Sequence, residues 1–306
     1  MNVAVFADIE GSFGIWRMRQ CRMGTPEWQY GRSCLTEDVN HAVQGAFEGG
    51  ARTVTVKDIH EMGFNCIIDR LDRRARYVGG HYIRPTFFGA VREYDLILYV
   101  AIHAASGTEK AFFPHTHYGI FSDVRINGRR ACEMDIYGAY LGEFGVPIGL
   151  VSGEEVALEQ ALQALPWALP VAVDKRHEAY NAGEASRRYL REGRARLREK
   201  AAEAVQRASE MKPLVLGGTL HFEAVFRSRK LADRYNTWKF EQTAETVSWD
   251  ADTMIEGFEK LNKLTFFPKY MYPVRRPIMF LTRLYCRTKN TYFPPKPDPE
   301  DAVVIS

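Results

Sequence analysis

Short runs of consecutive apolar residues alternate with amphipathic stretches through the first two thirds of the chain. Runs of this kind predict buried strands over Asn2–Ala7, Arg52–Lys57, Asp95–Ile102, Tyr118–Ile126, Val146–Val151 and Val171–Val173. Asn127-Gly128 after the fourth run is a hairpin signal. Between the runs, helices are predicted from a Thr36 cap through about Glu48, stopped by Gly49-Gly50, and from about Cys132 to Glu143. Two more are expected, from Ser152-Gly153-Glu154 to about Leu162 and over Glu184–Met211. The last is rich in Ala, Arg and Glu, and its i,i+4 charge pairs read as a solvated face.

From Leu214 the texture changes. Thr219–Phe226 and Phe240–Trp249 alternate like half-buried strands, each followed by a helical stretch. The expected fold class is α/β: a layered mixed sheet flanked by helices, with a smaller C-terminal α+β unit. The expected partition is a catalytic domain over 1–212, the smaller unit over 213–264, and an extension over 265–306.

Composition narrows the function. With 306 residues, 46% hydrophobic and 26% charged, the chain reads as globular and not as a coiled coil or a disordered polymer. The net charge of +3 argues against a dedicated nucleic-acid binder. From Thr265 onward there are seven Lys or Arg against three Asp or Glu, so the preceding body sums to −1. No secretory signal and no apolar run long enough for a membrane span is visible. Five scattered cysteines without a C-x-x-C pair suggest neither a disulfide framework nor a cysteine metal site, so a reducing, cytoplasmic setting is expected.

The candidate chemistry sits at strand ends. Asp8 and Glu10 follow the first strand, Asp58 and His60 the second, and His103 the third. In α/β sheets ligands bind outside the carboxyl ends of strands. Two carboxylates on one side of a strand repel unless a cation or a proton lies between them. Added imidazoles make a Zn²⁺-like or Mn²⁺-like ion the cheaper solution, and several such ligands suggest a two-metal site for hydrolysis. Taken singly, each residue has a plainer reading: Asp8 a turn former, Glu10 solvated, His60 and His103 structural, and His115 with His117 an exposed loop pair. His41, His81, His177 and His221 have no patterned neighbours and are expected to be structural.

The order of these elements resembles the DppA-type zinc D-aminopeptidases. Asp8-Ile9-Glu10-Gly11 with Gly14 is similar to that family's D-x-E-G signature, and Asp58-Ile59-His60 to its D-x-H element. Ile102-His103-Ala104, His115-Thr116, Glu133 after the Asn127-Gly128 turn, Gly145-Val146-Pro147 and Leu150-Val151-Ser152-Gly153 continue the match through about residue 264. The resemblance implies a di-zinc centre held by Asp8, Glu10, His60, His103 and Glu133, with one carboxylate bridging. It implies His115 as the catalytic histidine; His117, two residues on, is kept as the lesser alternative for that role. It implies aminopeptidase action on short peptides with N-terminal D-residues by a metal-activated water, and a homo-oligomer of stacked rings forming a decamer.

Phe6, Glu61, Glu154 and Asp174-Lys175 depart from the family's usual residues and put the substrate preference in question. Glu61 is expected to add a negative charge beside the metals. Competing readings are an inactive binding or assembly protein, an amidohydrolase on a non-peptide amide, and a phosphohydrolase using Asp8. The extension carries eight Phe or Tyr among prolines and arginines between Phe266 and Phe293. Such a segment could meet nucleic acid or a membrane surface, but packing across the subunit or a neighbour is the preferred reading, with Pro294–Ser306 as a mobile arm. The expected partners are a short peptide and further copies of the chain, with neither nucleic acid nor a membrane.

Overall fold

The computed structural model describes residues 1–80, 87–176 and 184–292. In chain order the strands are β1 (Asn2–Ala7), β2 (Thr53–Asp58), β3 (Arg76–Val78), β4 (Leu96–Ile102), β5 (Phe121–Ile126), β6 (Arg129–Arg130), β7 (Ile148–Gly153), β8 (Leu169–Ala172), β9 (Leu220–Phe226), β10 (Glu241–Thr243) and β11 (Thr246–Ala251). The helices are α1 (Met18–Cys21), α2 (Trp28–Glu48), α3 (Glu133–Gly142), α4 (Glu155–Ala164), α5 (Glu184–Gln206), α6 (Arg229–Tyr235), α7 (Met254–Thr265) and α8 (Arg275–Tyr292).

Six strands form a parallel sheet in the order β3-β2-β1-β4-β7-β8. Five form an antiparallel sheet in the order β10-β11-β9-β5-β6. The α/β expectation holds, with the mixed character divided between two sheets. The second sheet takes β5 and β6 from before Pro213 and the rest from after it.

Alternation along β1 and β4 explains the layering. Val3, Val5, Leu96, Leu98 and Val100 face a core with α2 and α5. Ala4, Phe6, Ile97 and Tyr99 face the opposite core, shared with α3, α7 and the antiparallel sheet. Side chains of a strand alternate between faces, so an unbroken apolar run serves both cores at once. Strand order reverses between β1 and β4, which places a switch-point crevice at their carboxyl ends.

Two element predictions need correction. Helix α2 begins at Trp28, so Thr36 is interior and not a cap. Its Oγ1 donates to the Arg32 carbonyl and accepts from the Ile67 N–H. Burial of Trp28, Cys34 and Leu35 outweighs the modest helix propensity of that first stretch. The single strand expected over Phe240–Trp249 is instead the hairpin β10–β11, turning at Ala244 with φ of 52°. A non-glycine residue in the left-handed region gives no sequence signal for a turn. Strand β3 and helix α8 were not expected. His81, His177 and Pro294–Ser306 lie outside the described residues.

Candidate metal centre

The crevice between β1 and β4 collects the predicted residues. Asp8 and Glu10 leave β1, His60 leaves β2, His103 leaves β4, and Glu133 is the first residue of α3. His115 comes from the loop between β4 and β5. Donor atoms of Asp8, Glu10 and His103 lie within 4.8 Å of one another, as do those of His103, His115 and Glu133. All but His115 are buried, and His115 is partly buried.

The backbone is shaped to deliver them. Ala101, next to last in β4, has φ of 70°, and the register against β7 shifts between Tyr99 and Ile102. This bulge re-aims the strand end that carries His103. Its amide donates to Ser152 Oγ at 3.0 Å. Gly11 and Gly153 each press against the Ile102 carbonyl, where an added Cβ would lie 2.3 Å from the oxygen. The glycines of the D-x-E-G and Ser152-Gly153 motifs therefore let three strand ends close on one another.

Each of the three histidines turns one ring nitrogen to a backbone carbonyl. His60 Nε2 lies 2.8 Å from the Cys21 oxygen, His103 Nδ1 3.1 Å from the Ala104 oxygen, and His115 Nδ1 3.0 Å from the Phe113 oxygen. A carbonyl only accepts, so those nitrogens carry protons and the other nitrogen of each ring faces the cluster. His60 Nδ1 is 3.1 Å from Asp8 Oδ1 and 3.2 Å from Glu10 Oε2. His103 Nε2 is 3.5 Å from Asp8 Oδ2 and 3.4 Å from Glu133 Oε2. His115 Nε2 is 3.9 Å from Glu10 Oε1, and its ring stacks on His103 at 3.8 Å between centroids.

Without a metal, the charges balance only through protons held on Asp8, His60 and His103. Three buried carboxylates converge, and their ion-pair partners among the described residues are all histidines. Both Glu10 oxygens are buried without a hydrogen bond of good geometry. Burial and Glu10 push Asp8 up to about 8. Burial alone would raise Glu10 as well, but His60, His115 and His103 hold it well below the usual carboxylate range. Burial opposes charge on His103 too, yet Glu133 and Asp8 push it up to about 10. His115, desolvated and beside His103, falls to about 4. Inward imidazole nitrogens, outward N–H groups on carbonyls and orphaned carboxylate oxygens form the donor set of a transition-metal site with its outer supports.

His117 is not a substitute for His115. Its Nδ1 is 3.1 Å from the Tyr137 hydroxyl and its Nε2 3.1 Å from Asn262 Oδ1. Its backbone N–H donates to Glu133 Oε1 at 2.8 Å, from a left-handed φ of 63°. His117 thus supports Glu133, and α7 supports His117. Asp58 of the D-x-H element points away from the cluster and accepts the amides of Asn65 and Cys66, fixing the loop after His60. Glu61 is exposed and accepts from the Met23 amide, contrary to the expected charge beside the metals.

Sequence reasoning did not find the groups that hold the site loops. Asp38 accepts the Phe13 amide and pairs with buried Arg194 of α5 at 2.9 Å. Lys175 Nζ donates to the Ser12 and Ile15 carbonyls. Glu154 Oε2 accepts the Phe112 amide at 2.8 Å, bracing the loop of His115. Two of these, Glu154 and Lys175, were visible in the sequence only as departures from the family's usual residues.

A hydrolase of the metallo-aminopeptidase class is what this fold and donor set define. A model of the D-aminopeptidase family, peptidase family M55, matches residues 1–263, and the chain belongs to that family. The curated D-aminopeptidase of Bacillus subtilis (strain 168) is 24% identical over 279 residues, covering 87% of this chain and 97% of the relative. A solved structure described as the Zn-dependent D-aminopeptidase DppA from Bacillus subtilis, a self-compartmentalizing protease, matches with a TM-score of 0.76. Its identity is 22%, over 88% of this chain and 98% of that one.

Proposed function

We propose that this protein is a zinc-dependent aminopeptidase that removes the first residue of short peptides, including those with an N-terminal D-residue. In this reading Asp8, Glu10, His60, His103 and Glu133 would hold two zinc ions. Bound zinc lowers the pKa of a water toward about 7 and polarises the scissile carbonyl. The observation that carries the reading is the shared orientation of the histidines, each with its outer nitrogen on a carbonyl and its inner nitrogen among carboxylates.

His115 acts on protons. Its Nδ1–H is tied to the Phe113 carbonyl, so Nε2 is the free base, and its depressed pKa keeps the ring neutral at pH 7. It takes a proton from the attacking water and returns it to the leaving amine. Burial of the carboxylates excludes bulk water and strengthens every charge interaction there. We further propose a cytoplasmic homo-oligomer, of the ring or decamer type implied by the family resemblance.

The test is metal analysis paired with a dipeptide panel of both chiralities, with and without chelator. Zinc in the purified protein, and chelator-sensitive hydrolysis that favours D-residues, are expected. His60→Ala should lose metal, whereas His115→Ala should keep metal and lose turnover. Full activity in metal-free protein sinks the proposal. Metal occupancy with hydrolysis only of L-peptides or of non-peptide amides removes the D-peptide assignment alone. Weak occupancy and no turnover on any amide would favour a binding protein that has kept the fold.

A further inference from the structure

Helix α8 takes no part in the site and begins beyond residue 263, where the family match ends. Its sequence holds Arg275, Arg276, Arg283, Arg287 and Lys289, and no Asp or Glu. At 100° per residue, Ile278, Phe280, Leu281, Leu284 and Tyr285 fall within an arc of about 160°, with Arg275 and Arg276 outside it. Phe280 is 67% exposed, Leu281 61%, Leu284 54% and Tyr285 61%. Tyr270 and Val274, just before the helix, are exposed as well. The other long helices of the chain bury their apolar residues against one of the two cores.

We infer that α8 seats the protein in the interface of an anionic membrane surface. Three surfaces compete for this helix. Nucleic acid would neutralise the cations and stack on Phe280, but it offers Ile278 and Leu281 no apolar interior to enter. A second copy would bury the arc, yet it brings no surplus of negative charge, since the whole chain is +3 and the body before the extension is −1. An anionic bilayer offers both: headgroups for Arg275 and Arg276 and acyl chains for Phe280 and Leu281. The helix lies on such a surface and does not span it, because no described helix is long and apolar enough to cross a membrane. The inference departs from the sequence expectation of no membrane partner, in which a membrane surface was weighed for the extension and packing across the subunit or a neighbour preferred.

Cosedimentation of the zinc-loaded, full-length protein with phosphatidylcholine vesicles, with and without phosphatidylglycerol, tests it. Binding is expected only with phosphatidylglycerol present, and it should weaken as salt is raised. Arg275→Gln with Arg276→Gln should weaken it about 25-fold, from about fivefold per basic residue. Phe280→Ser with Leu281→Ser should abolish it. Both pairs should leave zinc content and peptidase activity unchanged, since none of the four residues belongs to the proposed site. Failure of the parent to bind anionic vesicles overturns the inference, as does undiminished binding by the Phe280/Leu281 pair. A shift of that pair to a smaller oligomer, or its loss of affinity for an RNA oligomer, with vesicle binding intact, assigns the face elsewhere and overturns it too.

Discussion

Gly11→Ala isolates the packing that closes the metal cup. An alanine Cβ at this position would lie 2.3 Å from the Ile102 oxygen, 2.4 Å from the Ala101 carbonyl carbon and 2.7 Å from the Ala101 Cα. Ordinary contacts begin at about 3.5 Å, so the two backbones must part by about 1 Å. Every clashing atom belongs to the backbone of β4, so no side chain can swing aside. The Gly11 N–H also donates to the Ala101 carbonyl at 2.9 Å, and that bond stretches with the same movement. Overpacking of this kind costs about 1–3 kcal/mol. Glu10 and His103 sit on the two segments that part, and a displacement of about 1 Å can lower the rate about 100-fold. Gly119→Ala is the control, because an added Cβ there meets nothing within 4 Å; it should stay within about 0.5 kcal/mol of the parent. Urea denaturation, zinc content and kcat/KM of both variants supply the comparison. A Gly11→Ala protein matching the control in stability and zinc content would refute the reasoning.

Other outcomes can be measured the same way. Asn262→Leu leaves the His117 Nε2–H without its acceptor and should cost about 1–3 kcal/mol in urea denaturation, with lower kcat/KM because His117 holds Glu133; an unchanged Glu133-dependent rate would show that the support is idle. Arg194→Met strands the buried Asp38 carboxylate and should cost about 3–5 kcal/mol, read by thermal or urea unfolding. In metal-stripped protein the folded pKa values of His103, about 10, and Asp8, about 8, lie above their ordinary values, so the folded chain holds extra protons. That stabilisation is complete below the ordinary values and is lost as pH rises through about 8 and then about 10. Chelated protein should therefore lose melting temperature between pH 7 and 10 more steeply than zinc-loaded protein, in which a cation replaces the protons; parallel profiles would count against a metal at these groups.

The strand ends were legible because parallel strands buried on both faces are unbroken apolar runs, and the residue that stops such a run is conspicuous. Asp8 and His103 stand out that way, and His60 follows the β-branched strand that ends at Asp58. Helix α3 was equally plain, since a hairpin turn precedes it, whereas Glu133 as a donor came from the family resemblance alone. What stayed hidden acts through the backbone or across long separations. The Cys21 carbonyl that orients His60 carries no side-chain signature. Ala101 adopts a left-handed φ that nothing in its identity announces. His117 looked like a twin of His115 because sequence shows spacing and not which ring nitrogens are already engaged. Helix α8 escaped notice because Pro277 and its arginines mask its period.

The bond between His117 and Asn262 joins residues 145 positions apart. A ribosome delivers Asp8, Glu10, His60, His103 and Glu133 long before it delivers Asn262. The nascent chain therefore holds every proposed metal donor while the last brace of Glu133 is still unsynthesised. If that brace helps Glu133 hold the proposed zinc, retention of the ion depends on the emergence of α7. Stalled chains ending before Met254 should then retain less zinc than chains ending after Phe267, and equal retention would dissolve the link.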